Sequence, residues 1–146
     1  RYHNNAEETA AVLSDGWLET GDVGHLDADG FLFLTGRTKD MINVSGFKVY
    51  PRELDEVLGR HPSVSESCSL GIPDSRTGEA VVSCLVLYEG EDLTEEAVRQ
   101  YVGQYLNSYK CPRQVYFMDE IPATSAGKQD RQFLLKLLIE KENISP

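Results

Sequence analysis

The start of the chain carries short apolar runs that are separated by polar turns. The segment AEETAAVL at 6–13 is rich in helix formers and predicts a first helix. Two β-type runs follow, VGHL at 23–26 and FLFL at 31–34. The turn sequence DADG between them offers a glycine where a positive φ is favoured, so these runs predict a β-hairpin.

A second hairpin and a helix are predicted directly downstream. Ser45-Gly46 lies between two more β-type runs, MINV at 41–44 and FKVY at 47–50. Pro51 suits the first turn of a helix. The apolar residues of the RELDEVLGRHP segment that follows are spaced three and four positions apart, which puts them on one helix face. They are Leu54, Val57 and Leu58.

The rest of the chain combines strand-like runs with amphipathic helices. One helix is predicted after a cap at Asp92 or Thr94, and another from Gln129 to Lys141. Because short strands alternate irregularly with helices, we predict a small α+β domain, in which a leading hairpin precedes a sheet of about three strands covered by helices. The strands of that sheet are 65–72, 80–88 and 114–118. The apolar face of the last helix comprises Phe133, Leu134, Leu137 and Leu138.

A polar interruption, TGRTKD at 35–40, divides this pattern. Before it lie only a helix and a hairpin, which bury too little apolar surface to form a core alone. The chain also begins with Arg1 rather than methionine, so we expect a piece of a longer protein. The predicted division is the end of a preceding large domain at 1–36, a hinge at 37–40 and a C-terminal domain at 41–146.

Composition limits the partners and the compartment. A formal net charge of −10 over 146 residues disfavours a general role in binding nucleic acid or anionic lipid. No apolar run approaches the roughly 20 residues of a transmembrane helix, and no signal peptide opens the chain. The three cysteines lack CxxC spacing, which favours a reducing, cytoplasmic setting and predicts no metal site in this segment.

Three polar residues are candidates for chemistry, and each has a structural alternative. Lys128 follows the small residues of IPATSAG, where a mobile ammonium can neutralise an anion, although spacing alone favours a solvated surface lysine. Asp22 can accept two hydroxyl hydrogen bonds, as ribose-binding acids do, or serve as a turn residue. Arg37 can hold a hydroxyl or phosphate with its fork of donors, or be a charge in a linker.

Four stretches, taken in order, carry a family resemblance. The stretch GWLETGDVGHLDADGFLFLTGRTKDMINVSGFKVYPRELDEVL resembles the C-terminal signature of AMP-forming acyl-CoA synthetases. These enzymes share a superfamily with peptide-synthetase adenylation domains and luciferases. The stretches HPSVSESCSLGIPDSRTGEAV, YKCPRQVYF and IPATSAGKQDR continue the resemblance, which covers nearly all of the chain.

The resemblance implies a reaction in two steps. A carboxylate attacks the α-phosphorus of ATP with Mg²⁺, giving an acyl-adenylate and pyrophosphate, and the thiol of coenzyme A then displaces AMP. In such enzymes a small C-terminal domain rotates on a hinge between the steps. The resemblance therefore implies ATP, Mg²⁺, coenzyme A and a fatty or other acyl acid as substrates or cofactors of the whole enzyme. It also implies the enzyme's own N-terminal domain as partner.

Carried over by position, the resemblance implies roles for individual residues. Asp22 matches the acid that binds the ribose hydroxyls of the nucleotide, and Arg37 matches the arginine that assists it. Lys39 matches the hinge position. Lys128 matches the catalytic lysine that bridges the carboxylate and the α-phosphate. The loop that enters the active site for the thioester step matches Ser45, Gly46 and Phe47.

Two alternative functions stay open. One is an adenylating enzyme that loads the thiol of a carrier protein in place of coenzyme A. The other is a non-catalytic binding module derived from the same fold. Only the polar pair Gln129-Asp130 beside Lys128 favours the second alternative, because family members often carry an aliphatic residue at the position of Gln129.

Overall fold

The computed structural model describes residues 5–142, and its contacts divide the chain into two compact units, Arg1–Lys39 and Asp40–Pro146. The first unit begins with a helix that ends one residue before the predicted end. A small hairpin that the sequence analysis missed starts there. Its turn residues Asp15 and Gly16 have φ values of 50° and 82°, as a two-residue hairpin turn requires. The elements are α1 (Ala6–Val12), β1 (Leu13–Ser14) and β2 (Trp17–Leu18).

A longer hairpin completes the first unit and confirms the prediction for DADG. Its antiparallel strands are β3 (Asp22–Leu26) and β4 (Leu32–Arg37). Asp27 Oδ1 fixes the turn by accepting hydrogen bonds from the backbone N–H groups of Asp29 and Phe31. Large apolar side chains of this unit are exposed, namely Leu13, Trp17, Leu18, Leu26, Phe31, Leu32, Phe33 and Leu34.

The second unit is built around a five-stranded sheet with the order β6-β5-β8-β7, and β9 pairs with β8 in parallel. The strands are β5 (Ile42–Val44), β6 (Phe47–Val49), β7 (Val64–Asp74), β8 (Gly78–Leu87) and β9 (Gln114–Phe117). The prediction of a sheet of three strands with a separate hairpin is wrong. Strand β8 is long enough to pair with β5 at Gly78 and with β9 at 82–85, so the β5–β6 hairpin joins the sheet.

Three helices cover the sheet and enclose two apolar clusters. They are α2 (Pro51–Leu58), α3 (Glu95–Gly103) and α4 (Arg131–Glu142). Residues of α2 and α3 pack in one cluster with Ile42, Val81 and Leu85, whereas α4 packs in the other with Cys68 and Cys84. Of the two predicted caps for α3, Thr94 accepts the hydrogen bond, from the N–H of Ala97 at 3.2 Å.

The apolar face predicted for the last helix is only half correct. Leu134 and Leu138 are buried, whereas Phe133 is 50% exposed and Leu137 is 37% exposed. The helix also begins at Arg131 rather than at Gln129. Asp130 caps it, because its Oδ1 accepts a hydrogen bond from the N–H of Phe133.

We expect Leu54→Ala to lower the free energy of unfolding by about 2–5 kcal/mol, because this side chain of α2 is fully buried and the surrounding cluster would retain a cavity. Leu137→Ala is the matched control, since that side chain is partly exposed, and we expect a loss below about 1 kcal/mol. Urea unfolding followed by circular dichroism measures both. Equal losses would contradict this description of the core.

Candidate active site

Asp22 and Arg37 form an ion pair in the first unit. They are directly opposite each other at the open end of the β3–β4 hairpin, and Arg37 Nε lies 2.9 Å from Asp22 Oδ1. Both side chains are partly exposed. Asp22 Oδ1 is therefore engaged by the guanidinium, and the hairpin register brings together two residues that are fifteen positions apart in sequence.

Lys39 is the last residue of the first unit and lies in a short 3₁₀ turn, Thr38–Asp40. The turn is tied back to the hairpin, because the N–H of Thr38 donates to the carbonyl oxygen of Gly21 at 2.8 Å. Among residues 5–142, Lys39 is in no ion pair of the structure.

Ser45 and Gly46 form the turn between β5 and β6. Both have positive φ, 51° for Ser45 and 89° for Gly46, and the left-handed region is unfavourable for a serine by roughly 1–2 kcal/mol. Two hydrogen bonds hold this conformation: Ser45 N–H donates to Thr77 O at 2.9 Å, and Gly46 N–H donates to Asn43 Oδ1 at 2.8 Å. The turn is consequently fixed to the β7–β8 connection.

Phe47 follows this turn and remains about half exposed. Its ring stacks on that of Tyr109, with centroids 4.7 Å apart. Tyr109 belongs to a second 3₁₀ turn, Ser108–Lys110, which is itself anchored because Lys110 Nζ lies 2.6 Å from Glu53 Oε2 on α2. An aromatic surface therefore flanks the Ser45-Gly46 turn.

Lys128 lies on an exposed turn that precedes α4. The N–H of Thr124 donates to Lys128 O at 2.7 Å, and the N–H of Gly127 donates to Thr124 O at 2.9 Å. Gly127 has a φ of 73°, which explains the glycine directly before the lysine. In the described part of the chain no carboxylate forms an ion pair with Lys128. Its ammonium is therefore available to an external anion.

The long paired strands β7 and β8 form a two-stranded ribbon. The Lys128 turn and the Ser45-Gly46 turn are attached to different parts of this β7–β8 ribbon. Residues after Lys128 contact β7 at Ser67 and Ser69, whereas Ser45 contacts Thr77 in the connection that follows β7. At about 3.3 Å per residue along a strand, these attachment points are on the order of 20 Å apart. No hydrogen bond, ion pair or ring contact joins the two turns within residues 5–142.

A charged network lies directly behind the Lys128 turn, and sequence reasoning missed it. Arg131 donates from its Nη2 to Asp55 Oδ2 at 2.6 Å, and Asp55 Oδ1 accepts from the N–H of Ser69 at 2.7 Å. Burial raises the pKa of Asp55 from its ordinary 3.8 to about 6, against the lowering effects of Arg131 and Ser69. The two partners are 76 positions apart, so no local pattern could have indicated the pair.

Two absences among the described residues concern metal binding and membrane crossing. Within 5–142, no group of three or more His, Cys, Asp and Glu side chains could hold a metal ion. No helix in that range is both long and apolar enough to cross a bilayer.

The small α+β unit, with an exposed lysine turn and a separate glycine turn on one sheet, has the fold of the C-terminal domains of adenylate-forming enzymes. The sequence profile of the AMP-binding enzyme C-terminal domain matches residues 53–128, just over half of the chain. The chain belongs to this family, and the α+β fold predicted from sequence is confirmed.

Curated relatives and solved structures agree with this assignment. A long-chain-fatty-acid–CoA ligase of Bacillus subtilis is 41% identical over 98% of the chain, and an oxalate–CoA ligase of Arabidopsis thaliana is 39% identical over 96%. The amide bond synthetase McbA of Marinactinospora thermotolerans superposes with a TM-score of 0.85 at 43% identity. The o-succinylbenzoate CoA synthetase of Bacillus subtilis, solved with an acyl-adenylate intermediate, superposes with a TM-score of 0.84 at 33% identity.

The chain corresponds to only a part of these proteins. It covers 26% and 27% of the two ligases. The two structural superpositions each include 90% of this chain and 27% of the other protein.

We expect Asp55→Asn to remove a pH-dependent component of stability. The folded state holds the Asp55 proton up to about pH 6 and the unfolded state only up to about 3.8, so this group's stabilising contribution is present below 3.8 and is lost as pH rises to about 6. The loss is on the order of 3 kcal/mol. Urea unfolding of wild type and variant across this range should give a steeper decline for wild type.

The matched control for this measurement is Asp92→Asn, which neutralises an exposed carboxylate. It should follow the wild-type pH dependence. An Asp55→Asn curve that is parallel to wild type from pH 3.8 to 6 would contradict the raised pKa.

Proposed function

We propose that the protein containing this chain activates a carboxylic acid with ATP and then transfers the acyl group to coenzyme A. The first step forms a bond between the carboxylate and the α-phosphorus and releases pyrophosphate. In the second step the coenzyme A thiol attacks the acyl carbon and AMP leaves. Family membership supports this reaction, and so do the relatives, several of which are CoA ligases.

The single observation that carries the proposal is that Lys128 is exposed on a glycine-containing turn and forms no ion pair within residues 5–142. The carboxylate and the α-phosphate repel each other as they approach, and a cation between them offsets that repulsion. One such contact at about 4 Å in an effective dielectric near 20 is worth on the order of 4 kcal/mol before desolvation. Lys128 is therefore the proposed catalytic residue of the adenylation step.

The ion pair of the first unit supports a nucleotide-binding role. Arg37 holds Oδ1 of Asp22, which orients the carboxylate and leaves Oδ2 to accept hydrogen bonds from ribose hydroxyls. Magnesium is proposed to arrive with ATP, held by its phosphates and by the remainder of the enzyme. When bound, the ion supplies charge neutralisation at the phosphates.

The separation of the two turns supports a cycle in which the second unit reorients. If one site carries out both steps, turns attached about 20 Å apart along the β7–β8 ribbon do not both occupy it in a single orientation. We propose that the unit presents Lys128 for adenylation and the Ser45–Phe47 turn for thioester formation, with Lys39 in the hinge. The exposed apolar residues of the first unit support its packing against a larger N-terminal domain as partner.

A fatty or other acyl acid is the proposed substrate, and the cytoplasm the proposed location. The relatives act on acids as different as a long-chain fatty acid, oxalate and indoleacetate, so this domain is compatible with many acids. Transfer to a carrier-protein thiol is the alternative second step. A non-catalytic binding module is the alternative of another class. The polar pair that suggested it also has structural roles, because Asp130 caps α4 and Gln129 bonds to β7.

We expect Lys128→Ala in the full-length protein to lower adenylation by about a thousandfold, because the cation between the two anions is lost. Thioester formation from supplied acyl-AMP should stay within about threefold of wild type, since that step uses the other turn. Hydroxamate trapping measures the first step, and CoA thioester release the second. Lys136→Ala is the matched control. It removes an exposed lysine of α4, outside the Lys128 turn, and should change neither half-reaction.

Equal losses in both half-reactions for Lys128→Ala would contradict the assigned role. Thioester formed only when a carrier protein replaces coenzyme A would favour the carrier-loading alternative. No adenylate from the full-length wild type with any acid of a diverse panel would favour the non-catalytic module.

We expect Gly46→Ala to affect the opposite step. An added Cβ at Gly46 meets no atom within 4 Å, but φ of 89° disfavours alanine, so the turn would shift. Thioester formation should fall about tenfold or more while adenylation stays within about threefold. Gly90→Ala is the matched control, because its φ is 82° and its Cβ is also unobstructed. A loss confined to adenylation would contradict the proposed role of the turn.

A further inference from the structure

The backbone of the Lys128 turn is closed at its base as well as at its tip. Ala123 and Gln129 form an isolated antiparallel bridge, and the N–H of Asp130 donates to Pro122 O at 2.7 Å. Residues 123–128 are all exposed, whereas Gln129 is partly buried. The turn is thus a small protruding hairpin, and Gln129 is the first residue after Lys128 that contacts the body of the unit.

Strand β7 lies at the edge of the sheet, so alternate residues direct their backbone N–H and C=O groups away from β8. Side chains occupy this open edge in place of another strand. Gln129 Nε2 donates to Ser67 O at 2.9 Å, and Arg131 Nε donates to Ser69 O at 3.2 Å. Asp55 accepts from the N–H of Ser69, so three side chains satisfy consecutive outward-facing groups.

Gln129 makes a second contact from the same nitrogen. Its Nε2 also donates to Glu66 Oε1 at 3.1 Å, and a bond to a carboxylate is stronger than one to a neutral acceptor. One amide therefore bridges a backbone carbonyl and a carboxylate on β7, directly beside the residue that carries the ammonium.

We propose that Gln129 is a positioning residue for adenylation, whose side chain holds the Lys128 hairpin against β7 so that the ammonium reaches a fixed point. This inference rests on the proposed role of Lys128. Within residues 5–142, the hydrogen bonds of the protruding tip are all made inside the turn itself. A rotation of the hairpin about its base would therefore displace the lysine. A misplacement of about 1 Å can lower a rate by about a hundredfold.

The test uses Gln129→Glu in the full-length protein. The substitution keeps the size of the side chain but sets a carboxylate against Ser67 O and Glu66, which are both acceptors. We expect kcat for adenylation to fall about tenfold or more with KM for ATP and the acid within about twofold. Thioester formation from supplied acyl-AMP and the melting temperature should match wild type.

An exchange of partners provides the rescue. Glu66→Gln alone should retain adenylation within about twofold, because the new amide oxygen still accepts from Gln129. In the double variant Glu66→Gln/Gln129→Glu, the amide at position 66 donates to the carboxylate at 129, and adenylation should recover at least about threefold over Gln129→Glu. Gln132→Glu, the same change at an exposed position of α4, is the matched control and should have no effect.

The outcomes separate this inference from the proposed function. If Lys128→Ala abolishes adenylation but Gln129→Glu leaves it at the wild-type rate, only the positioning role is wrong. If Gln129→Glu lowers both half-reactions and the melting temperature together, the contact is merely structural and the inference is overturned. If the double variant recovers nothing, the bond to Glu66 plays no part. Full adenylation by Lys128→Ala would instead overturn the proposed function itself.

Discussion

The outward-facing backbone groups of β7 impose the constraint on which the second unit depends. An edge strand leaves polar groups that must find partners, and here side chains from α2, from the base of the Lys128 hairpin and from the start of α4 supply them. Above the raised pKa of Asp55, about 6, Asp55 and Arg131 are charged partners although burial opposes the ionised carboxylate. The need of this edge strand for hydrogen-bond partners thus determines where α4 begins and where the Lys128 hairpin attaches.

The same ribbon organises the rest of the candidate site. The Ser45-Gly46 turn lies at the end of the ribbon where β7 connects to β8, and the N–H of Ser45 donates a hydrogen bond to Thr77 O there. One sheet therefore carries the two candidate turns at separate places. In the proposed cycle, a single rotation of the unit withdraws one turn as it delivers the other, with no internal rearrangement of the sheet.

Local sequence patterns predicted the elements better than their assembly. DADG and Ser45-Gly46 indicated both longer hairpins because their glycines meet a backbone requirement of the turn. Asp15-Gly16 is an equally strong turn signal, but the sequence analysis did not predict a hairpin there. The number of strands in the sheet was not predictable, because β5 joins it through a single residue pair, Val44 with Gly78. Lys128, Asp22 and Arg37 were candidates from their local sequence, whereas their specific roles came from the family resemblance. The Asp55–Arg131 pair had no local signal, because partners distant in sequence meet only in the fold.

The apolar hairpins of the first unit have a consequence for handling the chain in solution. Trp17, Phe31 and Leu26 are each more than two-thirds exposed. Trp17 and Leu26 lie on short, open-edged strands, and Phe31 directly precedes β4. Such a surface attracts chaperones and other copies of itself. Colloidal stability of the isolated polypeptide therefore depends on mutual repulsion from its net charge of −10, and added salt, which screens that repulsion, promotes clustering.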